Sequence, residues 1–254
     1  MARASRLGPW LADVVAVLGL LTRLPVPSID PAGTHGANAA WAWPLAGLVV
    51  GGLGALVASL AFLAGLPAPV AALAFVATQV AATGALHEDG LADSLDGLWG
   101  GWDRTRRLEI MSDSRIGAYG VVGLVLTLGL RWQLWALAIG AGALWPAALA
   151  LGLASRAPMA VLSAALPFAR PDGLSRSVGR PSPRAAAGAG LIGALGLIPL
   201  GWAAPVVLAG ICAVAWAWAR IARARIGGQT GDILGAVQQL SEIAGLLALG
   251  VVIS

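Results

Sequence analysis

The sequence predicts an all-α, polytopic integral membrane helix bundle of about seven spans, and three observations predict it. The 254 residues are 58% hydrophobic and only 11% charged, roughly half the charged share of a soluble domain. The mean hydropathy is +0.83. The apolar runs exceed strand length and show no sustained alternation, and a helix satisfies all its own backbone groups in lipid. No polar linker divides the chain and no strong internal repeat is visible, so residues 1–254 read as a single membrane-embedded domain.

Taken in order, residues 9–21 are too short to cross a bilayer and contain Asp13, so they read as an interfacial or partly inserted helix. Spans are expected at 41–65, 68–87, 117–133, 135–155 (running on towards 168), 185–203, 204–220 and 234–253. Each is near the ~20 residues that a bilayer requires. No cleavable signal pattern follows Arg3 and Arg6.

All 16 basic residues are arginine. The arginine-rich segments 104–115, 170–184 and 220–225 fall on one side of this arrangement, which the positive-inside rule makes the cytoplasmic face of the cell inner membrane. The C-terminus is then outside. Arg131 runs against the rule near the outer surface, where Trp132 and Trp135 form an interfacial belt and an arginine can snorkel.

Composition also excludes chemistry. Without lysine there is no Schiff base and no Walker-type phosphate loop. The net charge of +4 would suit nucleic acid, but topology explains the arginines, so no nucleic-acid partner is expected. One cysteine and two histidines leave neither a disulfide framework nor a Cys/His zinc site.

Seven of the twelve acidic residues, from Glu88 to Asp113, fall within 26 positions. On a helix, Asp89, Asp93 and Asp96 stand at i, i+4 and i+7, inside an arc of about 60° and spread over ~10 Å. Leu91, Leu95 and Leu98 take the other side. Like charges at this spacing destabilise a helix, and carboxylates massed at a membrane boundary ask for a divalent counter-ion. Mg²⁺ held by Asp89, Asp93 and Asp96, with Asp113 closing the shell from a facing helix, is the expectation. A charge run between spans is ordinarily a solvated loop, and Glu88 and Asp103 read that way. Carboxylate-held metal beside arginine is what phosphoanhydride chemistry uses. Arg115 is the expected phosphate ligand, whereas Arg106 and Arg107 read as surface charge.

A second polar run, Arg225-Ile226-Gly227-Gly228-Gln229-Thr230-Gly231-Asp232, joins two spans. Its glycines allow close backbone approach, and N–H groups opening the next helix offer an anion site. A plain glycine turn with an N-cap aspartate explains Gly231-Asp232 equally well. Gln238, Gln239 and Glu242 follow on a helix too polar to face lipid. Arg156 ends a span where snorkelling is the ordinary explanation, and His87 reads as a hydrogen-bonded interfacial histidine.

Five motifs in order then carry a resemblance: Thr22-Arg23-Leu24-Pro25-Val26-Pro27, Trp43-Pro44-Leu45-Ala46-Gly47, His87-x-Asp89-Gly90-Leu91-Ala92-Asp93-x-x-Asp96-Gly97, Leu108-Glu109-Ile110-Met111-x-Asp113-Ser114-Arg115-x-Gly117 and Gly227-Gly228-Gln229-Thr230-Gly231-Asp232. The chain resembles the cobalamin synthase family, adenosylcobinamide-GDP ribazoletransferase, over essentially its whole length. Glu88 departs from the pattern, where an apolar residue is expected. The resemblance implies a Mg²⁺-dependent membrane enzyme that joins adenosylcobinamide-GDP to α-ribazole or its 5′-phosphate and releases GMP. It implies that Asp89, Asp93, Asp96 and Asp113 hold the metal, or that Asp113 takes the nucleophile's proton. Arg115 and Arg156 would hold phosphate oxygens, and Gly228, Gln229, Thr230 and Asp232 would contact the nucleotide or a metal. The sequence does not set the oligomeric state, a homo-oligomer included.

Three other classes remain open at this point. CDP-alcohol phosphotransferases use similar aspartates, but their pattern starts with an aspartate where this chain has Leu86 and needs an alanine-arginine pair that is absent. A cation-coupled transporter places acids near the midplane in repeated halves, and no repeat is seen. An inert scaffold leaves the acidic face unexplained.

Overall fold

The computed structural model describes residues 8–253; Arg3 and Arg6 lie outside them. Among the described residues there are eleven α-helices and no strand. They are α1 (Pro9–Leu21), α2 (Trp43–Leu63), α3 (Ala68–Thr83), α4 (Leu86–Gly100), α5 (Arg104–Met111), α6 (Ala118–Gly140), α7 (Leu144–Ala165), α8 (Leu174–Val178), α9 (Pro183–Gly196), α10 (Ala204–Ile226) and α11 (Gly231–Ile253).

Among the described residues five helical segments are long and apolar enough to cross a membrane: Gly36–Leu63, Ala118–Gly140, Leu144–Ala165, Ile198–Ile226 and Gly231–Val252. A sixth arises if α3 and α4 are counted as one span broken by an 87° bend. The all-α membrane bundle is as expected, with fewer spans than the seven read from sequence. The expected span 185–203 is instead the 14-residue α9 followed by a 3-10 segment, Ile198–Ala203, kinked at Gly201 (φ 59°, ψ −130°) and running into α10.

Pro9, Pro44, Pro69 and Pro205 all sit in a first helical turn, where the missing N–H costs nothing. The bend between α3 and α4 is made by Gly84 (φ 64°) and Ala85 (φ 58°), whose N–H groups return to Ala81 and Val80. That turn ends the apolar run at Thr83 and sends the acidic helix off at a right angle.

The bundle closes on α7. Gly47 and Gly51 of α2 lie against Gly152 and Ala148 of α7, so tightly that a methyl group on either glycine would overlap the facing carbonyl. This is the small-residue seam by which membrane helices gain contact without a hydrophobic drive between them. Two apolar clusters result. One gathers Met159, Ala160 and Leu162 of α7, Ile233, Leu234 and Val237 of α11 and the buried face of α4. The other gathers Ala147–Ala154 of α7, Leu246 and Leu249 of α11 and the buried faces of α3 and α6. Along both α7 and α11 the polar residues Ser155, Arg156, Gln238, Gln239 and Glu242 fall between the two, and all are buried.

Candidate active site

Asp89, Asp93 and Asp96 lie on α4, the helix expected for them. Gly90, on the same helix, packs so closely on α11 that a Cβ there would come within 3.0 Å of the Asp232 backbone. Asp232 opens α11 and is anchored by Thr230, whose hydroxyl donates to Asp232 Oδ2 at 3.1 Å and accepts the Ile233 N–H at 3.3 Å. Arg170, on the stretch after α7, reaches Asp232 Oδ2 at 3.4 Å. Asp93 lies within electrostatic reach of Asp89, Asp232, Asp96 and Arg170. Arg170 also lies 3.8 Å from Asp172 Oδ1, so its guanidinium pairs with Asp232 and Asp172, with Asp89 on the same pocket.

Asp89, Asp232 and Arg170 border an open pocket of about 90 Å³. They are its charged members, and buried Leu21, Trp43, Met159 and Leu234 form its apolar wall. An apolar wall with a few convergent charges is the usual form of a small-molecule site. His87 also lines it. It is 1% exposed, and neither ring nitrogen has a hydrogen-bond partner among the described residues, which replaces the expected interfacial, hydrogen-bonded histidine.

The other expected site residues are placed elsewhere. Asp96 turns away from Asp89 and Asp93: its oxygens accept the N–H groups of Gly117 and Gly120, capping α6. Asp113 lies on the exposed stretch before α6 and is ion-paired with Arg115, whose side chain is 87% exposed. The Arg115 hydrogen bonds hold the Asp113 carboxyl down at about 2. Arg156 is buried in the polar layer and does not line the pocket. Gly228 packs against the Pro167 carbonyl. Gln229 exchanges backbone hydrogen bonds with the chain beside Phe168, donating to Pro167 O at 2.8 Å and accepting from Ala169 N at 2.9 Å. Thus Gly228, Gln229 and Thr230 hold the loop that presents Asp232.

A metal test follows from these contacts. The four aspartates do not meet as one cage, and among the described residues no group of three or more His, Cys, Asp or Glu side chains is spaced to hold an ion. A smaller donor set is available. Asp89 and Asp93, one turn apart, carry no side-chain hydrogen bond or close ion pair among the described residues, whereas Asp232 is held by Thr230 and Arg170. That set suits an ion such as Mg²⁺, which takes one or two carboxylates, keeps several waters and binds substrate phosphate.

Two readings from sequence are corrected. Arg131 does not snorkel: it is 1% exposed and bonded to Glu88, Gln239, Gln79 and Glu242. Glu88 is not solvated but 5% exposed. Arg170 was missed, since as one arginine in a basic stretch it carries no local signal. At the other end, Asp13 is fully buried. Burial alone pushes its carboxyl up, but the His35 N–H, the Trp41 indole and the His35 ring together bring it below the ordinary range.

Residues 13–250 match the family described as cobalamin-5-phosphate synthase. A relative from Bradyrhizobium diazoefficiens, named adenosylcobinamide-GDP ribazoletransferase, is 46% identical over 241 residues, covering 93% of this chain and 92% of its own. Relatives of the same name from Mesorhizobium japonicum (45% identical; 96% of this chain, 95% of theirs) and Azorhizobium caulinodans (46%; 94% and 95%) match over similar lengths. No solved structure matches.

Proposed function

Because this chain belongs to the cobalamin-5-phosphate synthase family, we propose that it is the transferase that joins adenosylcobinamide-GDP to α-ribazole or its 5′-phosphate. The products are adenosylcobalamin or its 5′-phosphate, and GMP. The observation that carries the reading onto this structure is the convergence of Asp89, Asp232 and Arg170 at one pocket mouth.

In the reaction, a ribose hydroxyl oxygen bonds to the phosphorus next to the cobinamide arm. The bond from that phosphorus to the bridging oxygen breaks, and GMP leaves with the oxygen and its electron pair. Arg170 is placed to hold diphosphate oxygens, as a guanidinium fork does best. Asp89 and Asp93 would hold Mg²⁺ together with water and substrate phosphate. That ion, when bound, neutralises charge on the phosphate oxygens. The proton of the hydroxyl passes to a carboxylate at the pocket rather than to Asp113, whose oxygens are engaged by the Arg115 side chain. Arg115, exposed on its loop, remains a proposed contact for phosphate oxygens reaching outside the pocket. The arginine-rich side carrying this pocket is proposed to face the cytoplasm.

Purified protein incubated with adenosylcobinamide-GDP, α-ribazole and Mg²⁺ is expected to release GMP in step with the cobalamin product. Absence of GMP from monodisperse protein, with a related enzyme active in parallel, would overturn the reading. Release of CMP from a CDP-alcohol would instead favour a phospholipid enzyme.

A further inference from the structure

The buried polar layer takes no part in the chemistry above, and its best-connected member is Arg131. One guanidinium nitrogen, Nη1, donates to Glu88 Oε1 at 3.0 Å and to Gln239 Oε1 at 2.7 Å. The other, Nη2, donates to Gln79 and to Glu242 Oε1 at 3.3 Å. A single side chain on α6 thereby joins α3, α4 and α11. Glu88 precedes Asp89, and Gln239 lies two turns beyond Asp232 on α11.

Near the site itself, α4 and α11 touch through small groups, Gly90 on the Asp232 backbone and Gly235 on the His87 backbone. Smooth contacts of this kind permit close approach but do not fix rotation or sliding. At the polar layer a direct bond does so in part, Gln239 Nε2 donating to Glu88 Oε1 at 3.0 Å, and the planar Arg131 fork holds both of those side chains in place.

We infer that Arg131 is a positioning residue: by locking Glu88 of α4 to Gln239 and Glu242 of α11, it sets the register between Asp89 and Asp93 on one helix and Asp232 on the other. The consequence for turnover rests on the proposed function, whereas the register does not.

The test uses Arg131→Lys, which keeps a buried positive charge but loses the fork. The variant is expected to remain monodisperse but to melt lower than the parent, because a lysine cannot serve all four buried acceptors. Its kcat should fall about 100-fold, the scale expected from a misplacement of about 1 Å, with KM for adenosylcobinamide-GDP within roughly threefold. A role confined to stability predicts the reverse, parental kcat in whatever protein stays folded. Gln239→Met, which removes one arm of the fork together with the direct Gln239 bonds to Glu88 and Gln238 and strands no formal charge, should lower kcat about tenfold if Arg131→Lys does not fold.

The register is read directly by pulsed electron spin resonance. Labels go on Gly100→Cys at the end of α4 and Leu247→Cys on α11, with Cys212→Ser in the background. A narrow distance distribution in the parent that broadens or shifts in Arg131→Lys or Gln239→Met supports the inference. Parental kcat in a folded variant, or lost kcat with an unchanged distribution, overturns it. If the parent itself releases no GMP, the functional reading fails while the distance measurement still decides the register.

Discussion

The Asp96 carboxylate accepts the backbone N–H of Gly117 at 2.7 Å, so one acid of the α4 face serves as the cap of a neighbouring helix. Gly120 supplies a second donor at 2.9 Å, and a side chain at either glycine would collide with the carboxylate. The α6 N-terminus has no cap from its own residues, and a negative charge there also complements the helix dipole. Asp96→Asn keeps one acceptor and strands the other amide. It is expected to lower stability by about 1–3 kcal/mol. Activity should fall only as the folded fraction falls, as thermal unfolding and GMP release on the same preparation will show.

Asp89→Asn and Asp93→Asn should behave differently. Neither side chain makes a hydrogen bond that holds the fold together, so membrane insertion and melting temperature are expected to stay near parental. Turnover should drop by roughly 10²–10³-fold, the scale of losing one electrostatic element of a transition state. Full activity in either variant removes that residue from the site.

Arg170→Met tests the guanidinium at the mouth. It leaves Asp232 without its 3.4 Å partner and the substrate phosphates without a fork. KM for adenosylcobinamide-GDP should rise by at least tenfold, with the KM for α-ribazole much less affected, measured by initial rates with each substrate varied in turn. Equal effects on both would mean that Arg170 shapes the pocket rather than holding phosphate.

The Asp113–Arg115 pair gives a pH signature. Its Arg115 hydrogen bonds lower the Asp113 carboxyl from the ordinary 3.8 to about 2. A depressed acid contributes stability above its unfolded value and loses that contribution as pH falls through the folded one. The small difference in melting temperature between parent and Asp113→Asn should therefore be constant above about pH 4, shrink below it and vanish near pH 2. A difference that changes between pH 5 and 8 would assign the titration to another group.

Much of the site was legible in the sequence because helical periodicity is local. The i, i+4 spacing puts Asp89 and Asp93 on one face whatever surrounds them, and the run ending in Gly231-Asp232 marks a turn leading into a helix. Asp96 obeys the same periodicity, but its two oxygens are taken by the Gly117 and Gly120 N–H groups at the start of α6. Arg131 shows how a boundary decides a role. The aromatic pair Trp132 and Trp135 suggests a span ending near residue 134, but the helix runs on to Gly140 and turns at Gly142 (φ 70°). Arg131 then lies about 20 Å along α6 from its start. A membrane interior cannot leave a charge there alone, and Glu88 and Glu242 are its counter-ions.

The sequence by itself determined that this protein is a helical membrane bundle, that its acids are massed on one short helix, and which family its ordered motifs resemble. Those properties follow from composition and from the 3.6-residue repeat, which need no knowledge of neighbours. Only the tertiary structure decided that Asp232 and Arg170 face Asp89, that Asp96 caps a helix and that Glu88 pairs with Arg131. Contacts between helices depend on where each one ends and how it crosses the next, and the 87° turn at Gly84 and Ala85 alone redirects the acidic helix.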